Sequence, residues 1–330
     1  MDSVSQIMLG AAVAAAVAPQ VARRAVVYGA VLGTLPDLDT FVLAGLDPLR
    51  QFTEHRGWSH SLIVLTLAAP LLALLSWQLD RGLRQISRLR WWLAVSAVLI
   101  THPLLDAFTV YGTQLFWPLP FYPPTMWASL FIIDPLYTLP LLIAVIVLWR
   151  RAGDPRRVRH AALVGLLLSS AYVGWSLYAK QLATERAEAL LVAAGLPATQ
   201  LLVSPAPFTT LMWRAVAVGP QGDGEAFISL RPGAPQTVWR WTDTQPMARS
   251  AAMILPGGQR LHWFTHGFMR VMLAEHRLRI ADLRMGADGD YFFVFDIGEL
   301  QQGRWQPIDP ERAERPRPRM DRLREIFQYF

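Results

Sequence analysis

The chain has 330 residues, of which 53% are hydrophobic and 17% charged, with a net charge of +6 and no cysteine. That apolar content excludes intrinsic disorder, and the missing cysteines exclude a disulfide scaffold, thiolate zinc and iron–sulfur sites, and a cysteine nucleophile. Charge is unevenly spread: residues 1–180 carry 14 basic and 9 acidic groups, residues 181–330 carry 17 and 16. The pattern predicts a multi-span α-helical membrane domain over 1–180, followed by a smaller α+β soluble domain over 181–330. The basic surplus is almost all arginine (Lys180 is the only lysine). In the first domain it crowds into short gaps between apolar runs. That is the mark of membrane topology, so nucleic acid is not an expected partner.

In chain order, Ser5–Ala18 is an Ala-rich apolar run and Ala25–Leu46 a second, broken at Gly33-Thr34-Leu35-Pro36-Asp37-Leu38-Asp39. A cleaved signal peptide is the alternative for the first run, but Asp2 rather than a basic residue precedes it. Four segments then have spanning length: Ser59–Leu79, Trp91–Thr109, Ala128–Trp149 and His160–Ala179. Each is about 20 residues, as needed to cross roughly 30 Å of hydrocarbon. Arg81, Arg84, Arg88 and Arg90 fill one gap, and Arg150, Arg151, Arg156, Arg157 and Arg159 another, while 110–127 has no charged residue. Positive-inside topology puts both arginine gaps in the cytoplasm and the soluble domain outside.

The first domain places a few ionisable side chains near or within its apolar runs, where they are costly and functional by default. His102 and Asp106 are four apart and share a helix face. His55 and His60 flank the outer end of one span, and Asp134 precedes another. Asp37 and Asp39 join them if the broken segment turns back to that face. Three imidazoles and four carboxylates suit a divalent metal, zinc first, with manganese or magnesium as alternatives. Bound metal lowers the pKa of water and polarises a phosphoryl or carbonyl oxygen. Arg56, among these residues, could clasp a phosphate bidentately or serve as a headgroup anchor. Asp134-Pro135 also reads as a helix N-cap with proline at the first helical position, and Pro103 as a simple kink.

Four segments carry a family resemblance: Met1–Gly10, Gly33-Thr34-Leu35-Pro36-Asp37-Leu38-Asp39, His55-Arg56-Gly57-Trp58-Ser59-His60-Ser61 and Thr101-His102-Pro103-Leu104-Leu105-Asp106. In this order they resemble the YdjM/YbcI-like family of inner-membrane proteins, described as metal-dependent hydrolases, over about residues 1–180. The family is grouped with zinc-dependent phospholipase C and P1-type nucleases, which implies phosphoester hydrolysis by analogy. Many relatives have Thr-His where this chain has Ser5-Gln6, an amide in place of an imidazole.

The soluble domain opens with a helix over 181–194. Strands are expected at Thr209–Val218, Glu225–Leu230, Thr237–Trp241 and Tyr291–Asp296, with turns at Gly219-Pro220 and Gly222-Asp223-Gly224. His262 and His266 have helical metal-pair spacing but no third ligand nearby, which favours a structural role. Asp309–Arg324 reads as a solvated tail.

The expectation is a multi-pass bacterial inner-membrane metallohydrolase acting at the extracytoplasmic face. Asp37, Asp39, His55, His60, His102, Asp106 and Asp134 are its metal residues. Asp37, His60, Asp106 and Arg56 carry the chemistry on a phosphoester of a membrane lipid or lipid-linked molecule. The alternative is a non-catalytic membrane protein with a structural or sensing metal and a partner-binding outer domain. Ion transport is disfavoured because the ionisable groups gather at one face.

Overall fold

A computed structural model describes residues 1–119, 123–234, 238–287 and 289–313. Their contacts form two compact units, one of Met1–Val42 with Arg56–Ser176 and one of Leu43–His55 with the described residues from Leu177 onward. The division is therefore not a single cut after residue 180, since a short stretch before His55 packs with the later part of the chain.

The first unit is helical. α1 (Ser3–Val17) starts at Asp2, whose carboxylate accepts from the amides of Val4 and Ser5. α2 (Ala22–Thr34) returns alongside it. The two pack so closely that a Cβ on Gly10 would lie 2.2 Å from the Gly29 carbonyl oxygen, and one on Gly33 would lie 2.7 Å from that of Gln6. Small residues permit this approach where helices meet in an apolar setting. After α2 the chain tightens into a 3₁₀ turn, Leu35–Leu38, and the short α3 (Asp39–Leu43). α4 (Pro48–Glu54) packs in the second unit.

The chain re-enters the first unit through a 3₁₀ turn, Trp58–His60, into α5 (Leu62–Leu79), and returns as α6 (Arg88–Ala107). The Trp91 indole donates to Ser76 Oγ at 2.8 Å between them. α7 (Pro135–Arg150) and α8 (Pro155–Ala193) complete the set. The expected span from Ala128 becomes helical only at Pro135, because Asp134 caps that helix through the amides of Leu136 and Tyr137. The preceding residues are instead held on the end of α6, with Ser129 and Leu130 amides donating to the Phe108 carbonyl at 2.8 and 3.0 Å. α8 runs on without a break, the polar helix continuing the span as expected.

The helix ends sort by charge. At one end Arg24 Nε bonds Asp80 at 3.0 Å and the Arg23 guanidinium lies 5.8 Å from the Trp149 ring. These contacts bring the α1–α2 turn, the α5–α6 turn and the end of α7 together. At the other end Asp2 N donates to the Ile132 carbonyl, and Ser5 Oγ lies 2.6 Å from Thr138 Oγ1. Among the described residues, three segments are long and apolar enough to cross a membrane: Pro19–Leu43, Leu62–Leu79 and Pro155–Ala193. α1 and α7 are shorter apolar helices.

The second unit is built on two antiparallel sheets. β1 (Gln200–Pro205), β2 (Met212–Val218), β3 (Gly222–Ser229) and β4 (Arg240–Asp243) form a meander in that order. Ala179, Ala183 and Ala187, one turn apart on α8, pack on it with Trp213 and Ile228. Two helices follow, α9 (Pro246–Ile254) and α10 (Pro256–Thr265). β5 (Met269–Ala274), β6 (Arg277–Asp282), β7 (Gly286–Ala287), β8 (Asp290–Tyr291), β9 (Val294–Gln301) and β10 (Arg304–Arg312) supply a second sheet ordered β10-β9-β6-β5, with β7 and β8 a separate pair. Phe52 of α4 lies against Phe264, Phe293 and Phe295 at 4.8, 4.2 and 5.4 Å.

Several expectations for this unit change. Gly222-Asp223-Gly224 lies in strand β3, not in a turn, since the glycines leave room for the Trp241 ring; a Cβ on either would come within 2.7 Å of it. The expected strand over Tyr291–Asp296 splits between β8 and β9, and Thr237 lies outside the described residues. The first residues of the expected tail, Asp309–Arg312, are in β10, where Glu311 pairs with Arg277; 314–324 lie outside the described residues.

Candidate metal centre

Four side chains converge where the helix ends of the first unit meet: Asp37, His60, His102 and Asp106, each offering an atom within 4.8 Å of the others. Asp37 comes from the 3₁₀ turn after α2, His60 from the turn before α5, and His102 and Asp106 from one face of α6. His60 Nε2 lies 3.4 Å from Asp37 Oδ1 and 3.1 Å from Asp106 Oδ2. His102 Nε2 lies 3.6 Å from each of the same two oxygens. The two Nε2 atoms are 3.1 Å apart.

Neighbouring groups orient both rings. His102 Nδ1 is 2.6 Å from the Gly33 carbonyl, which can only accept, so Nδ1 carries a proton and Nε2 is the nitrogen turned to the cluster. Ser59 Oγ donates to Asp39 Oδ2 at 2.7 Å. Its single proton is thus committed, and it accepts from His60 Nδ1 at 2.9 Å. Both rings so held turn Nε2 toward the two carboxylates, and with those nitrogens unprotonated the four side chains can surround a divalent cation. Asp106 Oδ2 is buried and accepts no hydrogen bond, the mark of a polar atom waiting for a partner. Two imidazoles and two carboxylates are a donor set that a divalent metal fits, with both imidazoles anchored through their second nitrogen.

The other carboxylate oxygen, Asp106 Oδ1, is occupied by Gln6 Nε2 at 3.1 Å and by the Met1 amino group. Gln6 also donates to the His102 carbonyl at 3.2 Å. Gln6 thus braces a ligand without joining the four. Arg56 adopts a left-handed backbone (φ 60), costly by about 1–2 kcal/mol for a residue with a Cβ. Its amide donates to Asp39 Oδ2 and its carbonyl accepts from Gln114. The strained turn aims the guanidinium inward, where Nη1 donates to Thr109 Oγ1 at 3.0 Å and the group lies 5.0 Å from the Tyr111 ring. Its Nε is 3.3 Å from Asp106 Oδ2. Arg56 is buried, so it is not a headgroup anchor snorkelling to the surface.

Three of the seven expected metal residues stay outside the cluster. Asp39 is drawn to Ser59 and the Arg56 amide and supports His60 from behind. Asp134 is the N-cap of α7 and accepts from the Tyr172 hydroxyl at 3.0 Å, so capping takes the carboxylate that was expected at the metal. His55 follows α4 and belongs to the second unit. His262 and His266 do not form a helical pair, because α10 ends at Thr265 and His266 is left-handed (φ 56). Ser59, Gly33 and Thr109 are contributors that sequence reasoning did not single out. A backbone carbonyl leaves no residue-type signal, and a serine beside a histidine is too common to be one.

The model of one family, the YdjM inner membrane protein, matches residues 1–183, the stretch that contains every residue of the cluster. No curated protein and no solved structure matches the chain. With more than half its length matched and apolar helices long enough to cross a bilayer, the chain belongs to the YdjM inner membrane protein family.

Proposed function

We propose that the protein is a metal-dependent hydrolase of phosphoesters, acting on a lipid headgroup at the extracytoplasmic face of the inner membrane. The observation that carries this reading is the convergence of two oriented imidazole nitrogens and two carboxylates on one point, with Asp106 Oδ2 lacking a hydrogen-bond donor. Asp37, His60, His102 and Asp106 would hold the ion, zinc being the first expectation for this donor set. When bound, a divalent ion lowers the pKa of water and polarises a phosphoryl oxygen. Asp37 is the member whose side chain reaches the surface, and its carboxylate is the base that takes a proton from water. Water's oxygen then forms a bond to phosphorus as the ester P–O bond breaks, and the proton passes from Asp37 to the leaving alcohol. Arg56, held by Thr109 and Tyr111, places a fixed positive charge where a phosphoryl oxygen gains negative charge.

The orientation rests on charge. The arginines of the helix ends gather opposite the metal centre, so positive-inside topology puts the centre outside with the second unit. A C-terminal alkaline phosphatase fusion should be active, and an inactive one would reverse the assignment. The hydrolase itself is tested by purified protein of known metal content against a diacyl phosphoester and p-nitrophenyl phosphate. Turnover that His102→Ala abolishes supports it; stoichiometric metal with no turnover on either refutes it. One observation favours a second reading, a structural or sensing metal: three of the four side chains are fully enclosed, as in closed structural sites. The same assay separates the two.

A further inference from the structure

His60, His102 and Asp106 are enclosed, and the side chain through which the cluster meets the surface is Asp37, 22% exposed. Anything that reaches the centre by this opening passes Asp37. The chain just beyond it is apolar and outward-facing: Leu38 is 47% exposed, Phe41 79% and Val42 68%. They stand at i, i+3 and i+4, a spacing that puts them on one side of the turn and α3. Asp39, between them, turns inward to Ser59, and the Thr40 hydroxyl is taken by the Asp37 carbonyl.

A mouth built for water-soluble phosphates would carry exposed cations to gather them. This one carries a large aliphatic, an aromatic and a β-branched side chain, costly to leave in water but favourable against acyl chains. The face also continues the outer surface of a candidate span, since Pro19–Leu43 is a single 25-residue apolar stretch in which Val27 and Val31 are exposed as well. Resting on the hydrolase reading, we infer that Leu38, Phe41 and Val42 form a lipid-contact face through which an amphiphilic phosphoester enters sideways. Its acyl chains stay in the bilayer against α3 while its phosphate passes Asp37 to the metal centre.

The chain has no cysteine, so single-cysteine variants report on single positions. Phe41→Cys and Val42→Cys carrying a nitroxide, in nanodiscs of phosphatidylglycerol and phosphatidylethanolamine, should relax with dissolved oxygen and be shielded from a water-soluble nickel chelate. The opposite accessibility overturns the inference. The second measurement uses the Phe41→Ser/Val42→Ser double variant, loaded with metal. The ratio of its rate on bilayer-embedded phosphatidic acid to its rate on p-nitrophenyl phosphate should fall about tenfold relative to the unmodified protein, with metal content unchanged. An unchanged ratio overturns lateral entry even where hydrolysis stands. Protein that hydrolyses neither compound while its nitroxides report lipid refutes the hydrolase reading and supports the lipid-contact face.

Discussion

Asp282, Glu225, Asp223 and Asp296 in the second unit are each held by a guanidinium fork, whereas in the first unit Asp37 faces two imidazole nitrogens and Asp106 faces the same two on the oxygen that no hydrogen bond reaches. Arg284 meets Asp282 through Nε and Nη2 at 2.9 and 2.8 Å, and Arg214 meets Glu225 at 2.8 and 2.6 Å. Arg270 holds Asp223, and Arg279 reaches both oxygens of Asp296 at 2.7 and 3.0 Å. Those forks neutralise charge and satisfy lone pairs, so the network is complete without a ligand. At the first cluster Arg56 stands beside Asp106 without a hydrogen bond to Oδ2, and both imidazoles spend Nδ1 on other groups. The lesson is that burial of acids does not mark a site; a buried carboxylate oxygen that converges with imidazole nitrogens and is left without a hydrogen bond does.

Four experiments put that contrast to the test. The largest effect is expected from His102→Ala, which should abolish stoichiometric metal in elemental analysis, while the same change at His55 leaves metal content as it was. Retained metal in His102→Ala would dissolve the distinction between the two regions. Next, Arg284→Ala should destabilise the second unit by about 3–5 kcal/mol, because it strands the buried Asp282 carboxylate, with metal content unchanged. Replacing both partners with apolar residues, Arg284→Met with Asp282→Leu, should recover most of that loss in denaturant unfolding.

A smaller effect belongs to Ser59→Ala, which removes the group that orients His60. Metal affinity should fall about 10–100-fold in competition with a chelator, with the fold retained. The smallest concerns pH. Burial, together with the Glu225 charge, pushes the Tyr291 hydroxyl from its ordinary 10.0 up to about 12. Its folded pKa lies above its unfolded one, so its contribution is whole below pH 10 and is lost as pH rises through about 12. Thermal unfolding of the second unit should therefore weaken more steeply across that window in the unmodified protein than in Tyr291→Phe.

Much of the first unit was legible because membrane helices announce themselves locally. Apolar length marks the segments, arginine-rich gaps mark one end, and the i, i+4 spacing alone placed His102 and Asp106 on one face. The boundaries were less legible: α7 starts at Pro135 and not Ala128 because a capping carboxylate and the backbone hydrogen bonds to Phe108 decide it. In the second unit, β1, β5, β6, β7 and β10 were not anticipated. β5, β6 and β10 carry charges that alternation alone reads as surface, yet pairing with opposite charges holds them in strands, as where Arg270 meets Asp223 and Arg279 meets Asp296.

Composition and spacing alone were enough to tell that a helical part with long apolar segments precedes a more charged part with strands, and that a small set of His and Asp side chains sits near helix ends. Composition and periodicity are local properties, and they suffice for that. Tertiary structure decided which of seven residues meet. Asp39, His55 and Asp134 have the same chemistry as the four that converge. What separates them is a serine hydroxyl and an Arg56 amide drawing Asp39 away, a helix end taking Asp134, and an α4 that packs in the other unit carrying His55. The close glycine contact of α1 and α2 brings Gln6 and the Gly33 carbonyl to Asp106 and His102. No spacing rule encodes that meeting, because it depends on how near two helices can approach.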